Sequence, residues 1–152
     1  MTVKYAKVFL AVGAIASTIL ALQRDASASD TTIWSGVYTE EQAQRGKKVH
    51  AALCTRCHGP RLDGAGQSDM PNSPAIARDP LLRKWDGQPI AALYVLTKAT
   101  MPPTAAGALS DQEYMDAVAY ILKMSRAPTG TAELVPESEA LNSIMITLPP
   151  ER

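Results

Sequence analysis

Aromatic residues are scarce in this 152-residue chain: one Phe, two Trp and five Tyr. A core built mainly on ring packing is therefore excluded. An excess of charge of either sign is absent as well. Fifteen Lys and Arg balance fifteen Asp and Glu, for a formal net charge of zero, so no field is available to hold a nucleic acid. The uncharged stretch from Val8 to Leu22 falls short of the ~20 apolar residues that cross a bilayer. Only two cysteines and two histidines are present. A multi-disulfide scaffold is excluded, and the two thiols must be explained by one piece of chemistry.

That piece is Cys54-Thr55-Arg56-Cys57-His58. A C-x-x-C-H run reads as the attachment site of a c-type haem. Two thiols on one helical turn add across the two vinyl groups of a porphyrin, and the next residue offers the iron an axial nitrogen. A thioredoxin-like pair needs no adjacent histidine and sits in a βαβ pattern, which is missing here. A zinc site needs further ligands, and only His50 is left to offer itself. Covalent haem, as the centre of the core, also helps hold together a small, loop-rich chain with few aromatic residues.

Lys4 and Lys7 precede the Val8–Leu22 stretch, and Ala26-Ser27-Ala28 is an A-x-A cleavage pattern. Residues 1–28 therefore read as a secretory signal peptide, with an uncleaved membrane anchor as the alternative. Residues 29–152 remain as one domain, slightly acidic and destined for the periplasm, where a cysteine pair would ordinarily form a disulfide. The neighbouring His58 assigns the thiols to haem instead.

Residues 29–38 read as an extended arm. Thr39 caps a helix running to about Leu53, with Glu40 and Glu41 early and Lys47 and Lys48 late, as the helix dipole prefers. Ala43, Gly46, Val49, His50 and Leu53 fall on one face. Gly59 to Pro80 is a long polar loop, more often functional than idle. A short helix spans Pro80 to Trp85, with Asp79 as cap. Another spans Pro89 to Lys98, burying Ile90, Leu93, Tyr94 and Val95, and Met101-Pro102-Pro103 ends it. After a turn from Thr104 to Leu109, Ser110 and Glu113 form a capping box that opens a helix from Asp111 to about Met124. Tyr114, Ala117, Val118, Ile121 and Leu122 make its stripe. A tail over residues 127–152 wraps the domain, with a helical stretch near Glu137 to Asn142 and the apolar Ile144-Met145-Ile146. No β-sheet is expected; the fold class is all-α, four to five short helices around one haem.

His58 leaves the opposite face of the iron to a second ligand. Met70, Met101, Met115, Met124, Met145 and His50 are available. Met115 and Met124 lie in the last helix, where methionine is usually core filler, Met145 lies in the tail, and Met70 is a short path from His58. Met101 is followed by two prolines, which fix the backbone and suit it to hold a thioether toward a metal. Histidine with methionine is a haem ligand pair that raises the potential.

Taken together, these residues resemble a class I cytochrome c over nearly the whole region after the signal segment. Gly46, Cys54 to Gly59, Pro74-Ala75-Ile76, Met101-Pro102-Pro103 and Tyr120-Ile121-Leu122 carry the likeness. The resemblance implies that the first and last helices cross at Gly46 against Tyr120. It implies that the Pro74 carbonyl holds the second ring nitrogen of His58, fixing its tautomer, and that Trp85 contacts a haem propionate. His50 stands where relatives have an aromatic residue and should face the last helix, and Leu53 replaces a commonly polar one. Ile33 to Thr39, Leu109 to Tyr114 and Pro128 to Leu134 are similar to haem domains associated with pyrroloquinoline quinone dehydrogenases. Those relatives take electrons from alcohol or sugar dehydrogenases and pass them to a terminal oxidase or other cytochrome.

The expected function is that of an exported one-electron carrier, not an enzyme, with Arg56, Arg61, Lys84 or Lys98 orienting a redox partner. A peroxidase or gas sensor with an open sixth position, or a subunit that haem merely staples together, are the alternatives.

Overall fold

A computed structural model describes residues 31–69, 73–136 and 138–151. The expected signal peptide, the start of the arm, and Met70 lie outside the described residues. The first long helix, α1 (Glu40–Val49), starts where Thr39 accepts the Gln42 amide at 3.1 Å, with acids in its first turn and lysines in its last. It does not end cleanly. The helical path runs on through a π turn (His50–Cys54) into α2 (Thr55–His58), so the haem motif sits on the same rod. A π turn carries one more residue than an α turn and is frequent at functional sites.

The single face expected from spacing is only partly observed. Ala43, Gly46 and His50 are buried, but Val49 is only partly buried and Leu53 is exposed at the edge of the central cavity. The buried set packs on α5 (Asp111–Met124), whose capping box is present as expected: Ser110 accepts the Glu113 amide, and Glu113 accepts the Ser110 amide at 2.9 Å. The two helices cross at Gly46, where a β-carbon would lie 1.8 Å from the Asp116 carbonyl oxygen and 2.9 Å from Tyr120 Cβ. Beyond its expected stripe, α5 also buries Met115, Asp116, Ala119 and Tyr120. A helix covered on all sides is a core helix.

Two boundaries differ from the sequence reading. α3 (Arg78–Trp85) begins ahead of Pro80, capped by Ala77 with no side-chain bond, because the Arg78 amide donates to Ser125 Oγ at 2.8 Å and starts the helix through a tertiary contact. α4 (Ile90–Thr100) buries Ile90, Leu93 and Tyr94, whereas Val95 is 59% exposed. Val95 is five positions after Ile90, about 140° around the helix by the 3.6-residue period, and so leaves the stripe.

A small sheet is present where none was expected. β1 (Thr31–Thr32) pairs in parallel with β3 (Ile144–Ile146), and β2 (Gln88–Pro89) pairs antiparallel with it on the other side. Strands this short have no alternation to read; long-range contacts form them. The tail supplies β3 after α6 (Ala140–Ser143), the observed form of the expected Glu137–Asn142 stretch. The tail is tied down at several points. The Gln42 amide group exchanges two 2.9 Å bonds with the Leu134 backbone, and Tyr38 donates to the Ala127 carbonyl at 2.6 Å. Gly130 donates to the Tyr38 carbonyl at 2.7 Å, and Trp34 to the Thr147 carbonyl at 3.1 Å. The molecule is mostly helical, with its core along α5.

Candidate functional site

His58 closes α2, and Gly59, at φ +78°, turns the chain out of the helix, a conformation glycine adopts without penalty. The next loop folds back over the motif. Gln67 donates to the Arg56 carbonyl at 2.8 Å and Gly64 to the His58 carbonyl at 3.0 Å. Gly66 comes so close that a β-carbon would lie 2.2 Å from the Cys57 carbonyl oxygen. This path brings Pro74 under the histidine, with its carbonyl 2.9 Å from Nδ1 of the buried His58 ring. A carbonyl only accepts, so Nδ1 carries the proton and Nε2 keeps its lone pair.

A cavity of about 270 Å³ opens above that ring, lined by Cys54, Cys57, His58, Pro74, Met101 and Tyr114 among others. An adjoining lobe of about 120 Å³ shares His58, Pro74 and Met101 and adds Lys84 and Trp85. Larger hollows of about 570 and 630 Å³ elsewhere contain neither cysteine nor histidine. Met101 caps α4; its amide donates to the Thr97 carbonyl at 2.9 Å, and its carbonyl accepts the Tyr114 hydroxyl at 2.7 Å. The Met101–Pro102 peptide is cis. Met115 is fully buried in the core, Met124 packs against it, and Met145 lies in β3, so neither the helix nor the tail methionines reach the cavity.

The residues fit a covalent porphyrin. Both cysteines share an apolar wall with an oriented histidine. Burial, then the neighbouring Cys57, pushes the Cys54 thiol up from its ordinary value. Among the described residues no three His, Cys, Asp or Glu side chains converge to hold a bare metal ion. His50 is not drawn into such a cluster. Its ring stacks at a tilt on Tyr120 with centroids 5.4 Å apart, and burial pushes its pKa down.

The four cations proposed at the rim are mostly engaged. Arg56 pairs with Asp69 at 2.6 Å, Arg61 with Asp63 at 2.8 Å and Lys98 with Asp111 at 2.5 Å, while Lys84 borders the second lobe beside Trp85. Sequence reasoning placed Tyr114 on an apolar stripe and at the end of the Leu109–Tyr114 likeness, with no role for its hydroxyl. Its hydroxyl role and the contribution of Thr97 and Leu109 to the cavity have no sequence signal, since each depends on how α4 and α5 meet.

The family described as cytochrome c oxidase, cbb3-type, subunit III matches residues 41–121, just over half of the chain. The chain belongs to this family of c-type cytochromes. The cytochrome accordingly carries one covalent haem c, with Cys54 and Cys57 as its attachment residues, and it is an electron-transfer domain. It is also similar to a protein named thiosulfate dehydrogenase from Psychrobacter arcticus, 35% identical over 91 residues. That match covers 57% of this chain but only 27% of the relative, so the cytochrome spans about a quarter of that protein's length. No solved structure matches it significantly. Among the described residues no helix is long and apolar enough to cross a membrane.

Proposed function

We propose that this cytochrome is an exported one-electron carrier whose iron is held between His58 and Met101. The observation that carries this reading is that both side chains line one cavity together with both motif cysteines. Haem c supplies an iron that moves between ferrous and ferric states. The protein supplies the rest. The Pro74 carbonyl orients His58 and raises its basicity as a ligand. Met101 offers a thioether from a backbone fixed by Thr97, Tyr114 and two prolines. The apolar walls keep water from the reacting face.

In the oxidised holoprotein a sulfur-to-iron charge-transfer band is expected. Met101→Ala should abolish it, lower the potential and open the reduced form to carbon monoxide. A band that survives Met101→Ala would overturn the assignment and turn attention to Met70. We place Trp85 at a propionate, on the ground that it borders the second lobe next to Lys84.

The donor we propose is a quinoprotein alcohol or sugar dehydrogenase, and the acceptor a terminal oxidase or another cytochrome. The resemblance of Ile33–Thr39, Leu109–Tyr114 and Pro128–Leu134 supports the donor, and the family's oxidase description supports the acceptor. The Lys4, Lys7 and Ala26-Ser27-Ala28 pattern supports export to the periplasm. Stopped-flow reduction by such a dehydrogenase tests the donor. The similarity to a thiosulfate dehydrogenase favours a second reading, in which the domain serves thiosulfate oxidation. Haem reduction by thiosulfate alone would favour it over the first.

A further inference from the structure

Tyr114 stands at the start of α5, 1% exposed, and lines the cavity that Met101 and His58 share. Its hydroxyl has two partners on one loop. It donates to the Met101 carbonyl at 2.7 Å and accepts the Gly107 amide at 2.9 Å. The Met101 amide is held from the other side by the Thr97 carbonyl at 2.9 Å. The backbone of Met101 is thus fixed twice, at its amide from α4 and at its carbonyl from α5, and Pro102 and Pro103 stiffen the chain immediately after it. Packing alone does not call for this hydroxyl. A phenylalanine would fill the same wall, and a buried hydroxyl is tolerated only where it is bonded.

We propose that Tyr114 is a positioning residue that holds the Met101 loop against the haem iron. This rests on ligation by Met101 as proposed above. An incoming ligand that displaces the thioether has to move the loop, and loop movement breaks the Tyr114 bonds. The helix that bears Tyr114 also crosses the haem-bearing rod at Gly46. Through Tyr114, the groups on both sides of the iron are referred to one helix.

The test is an imidazole titration of the ferric holoprotein, followed by the charge-transfer band. Tyr114→Phe should bind imidazole roughly three- to tenfold more tightly, the scale of one buried hydrogen bond's net contribution. Tyr38→Phe serves as control. It deletes an equally buried hydroxyl, bonded to the Ala127 carbonyl at 2.6 Å, away from the cavity; it should lower thermal stability and leave imidazole affinity unchanged. Equal affinity in Tyr114→Phe and the native protein would overturn the proposal, as would the same rise in both variants. Met101→Ala separates the two readings. A band that survives it removes the ligation and this proposal together. A band that disappears, with Tyr114→Phe unaltered, leaves the ligation standing and removes the positioning role. Should Tyr114→Phe not accumulate as holoprotein, amide exchange in the unaltered protein decides. The Gly107 amide should exchange faster when imidazole is saturating, and unchanged protection would refute the clamp.

Discussion

A β-carbon at Gly66 would meet the carbonyl oxygens of Cys57 and Arg56 at 2.2 and 2.5 Å, so the loop closes over the haem motif only where a side chain is missing. Gly66→Ala should destabilise the protein by about 1–3 kcal/mol, as overpacking does. It should also loosen Pro74 from His58, because the loop that carries Pro74 must lift. Denaturant midpoints check the first effect, and the His58 ring resonances in the reduced protein check the second. At this scale the legible residues are those whose chemistry is local. Cys54, Cys57 and His58 declare themselves by spacing, and Met101, which lines the same cavity, is marked by the prolines beside it. Gly66, Tyr114 and Gln42 do not, because each acts on a segment far away in sequence.

Among the elements, α5 was legible from end to end in its capping box and stripe, yet the burial of every residue from Tyr114 to Leu122 was not. Asp116 reads as a surface residue until Arg45 reaches it from α1 at 2.8 Å and Glu133 joins from the tail at 2.7 Å. Two of the segments on which the proposed donor rests, Ile33–Thr39 and Pro128–Leu134, meet each other at Tyr38 and Gly130. Their first duty is to brace the fold. Gln42→Ala leaves the Leu134 amide and carbonyl without their partner, which should cost about 1–3 kcal/mol. Limited proteolysis should then cut residues 128–136 well before the native protein is cut there. Ser110→Ala should cost about 1 kcal/mol through loss of the cap, read as a lower thermal midpoint.

On the acid side the whole molecule loses stability as pH falls. His50 is buried and its pKa is lowered from the ordinary 6.5, by burial first. The unfolded chain therefore takes up that proton more readily, so stability is full above about pH 6.5 and falls as pH drops toward the folded value. Glu133, held below 4.5 mainly by its bond to Arg45, adds a second loss below that pH, also because its folded pKa is depressed. Thermal midpoints measured from pH 8 to pH 3 should decline in these two stages, and His50→Phe should remove the upper one. The π turn at His50–Cys54 carries the remaining consequence. It is a phase shift between two machines on one rod: the half upstream meshes with α5, and the half downstream carries the cysteines and His58 that line the cavity. Each residue of an α-helix turns it by about 100°. Deleting Ala52 would therefore leave both halves helical but out of phase, and the chain should still fold around α5 while its cysteines face a wall that has no room for the ring.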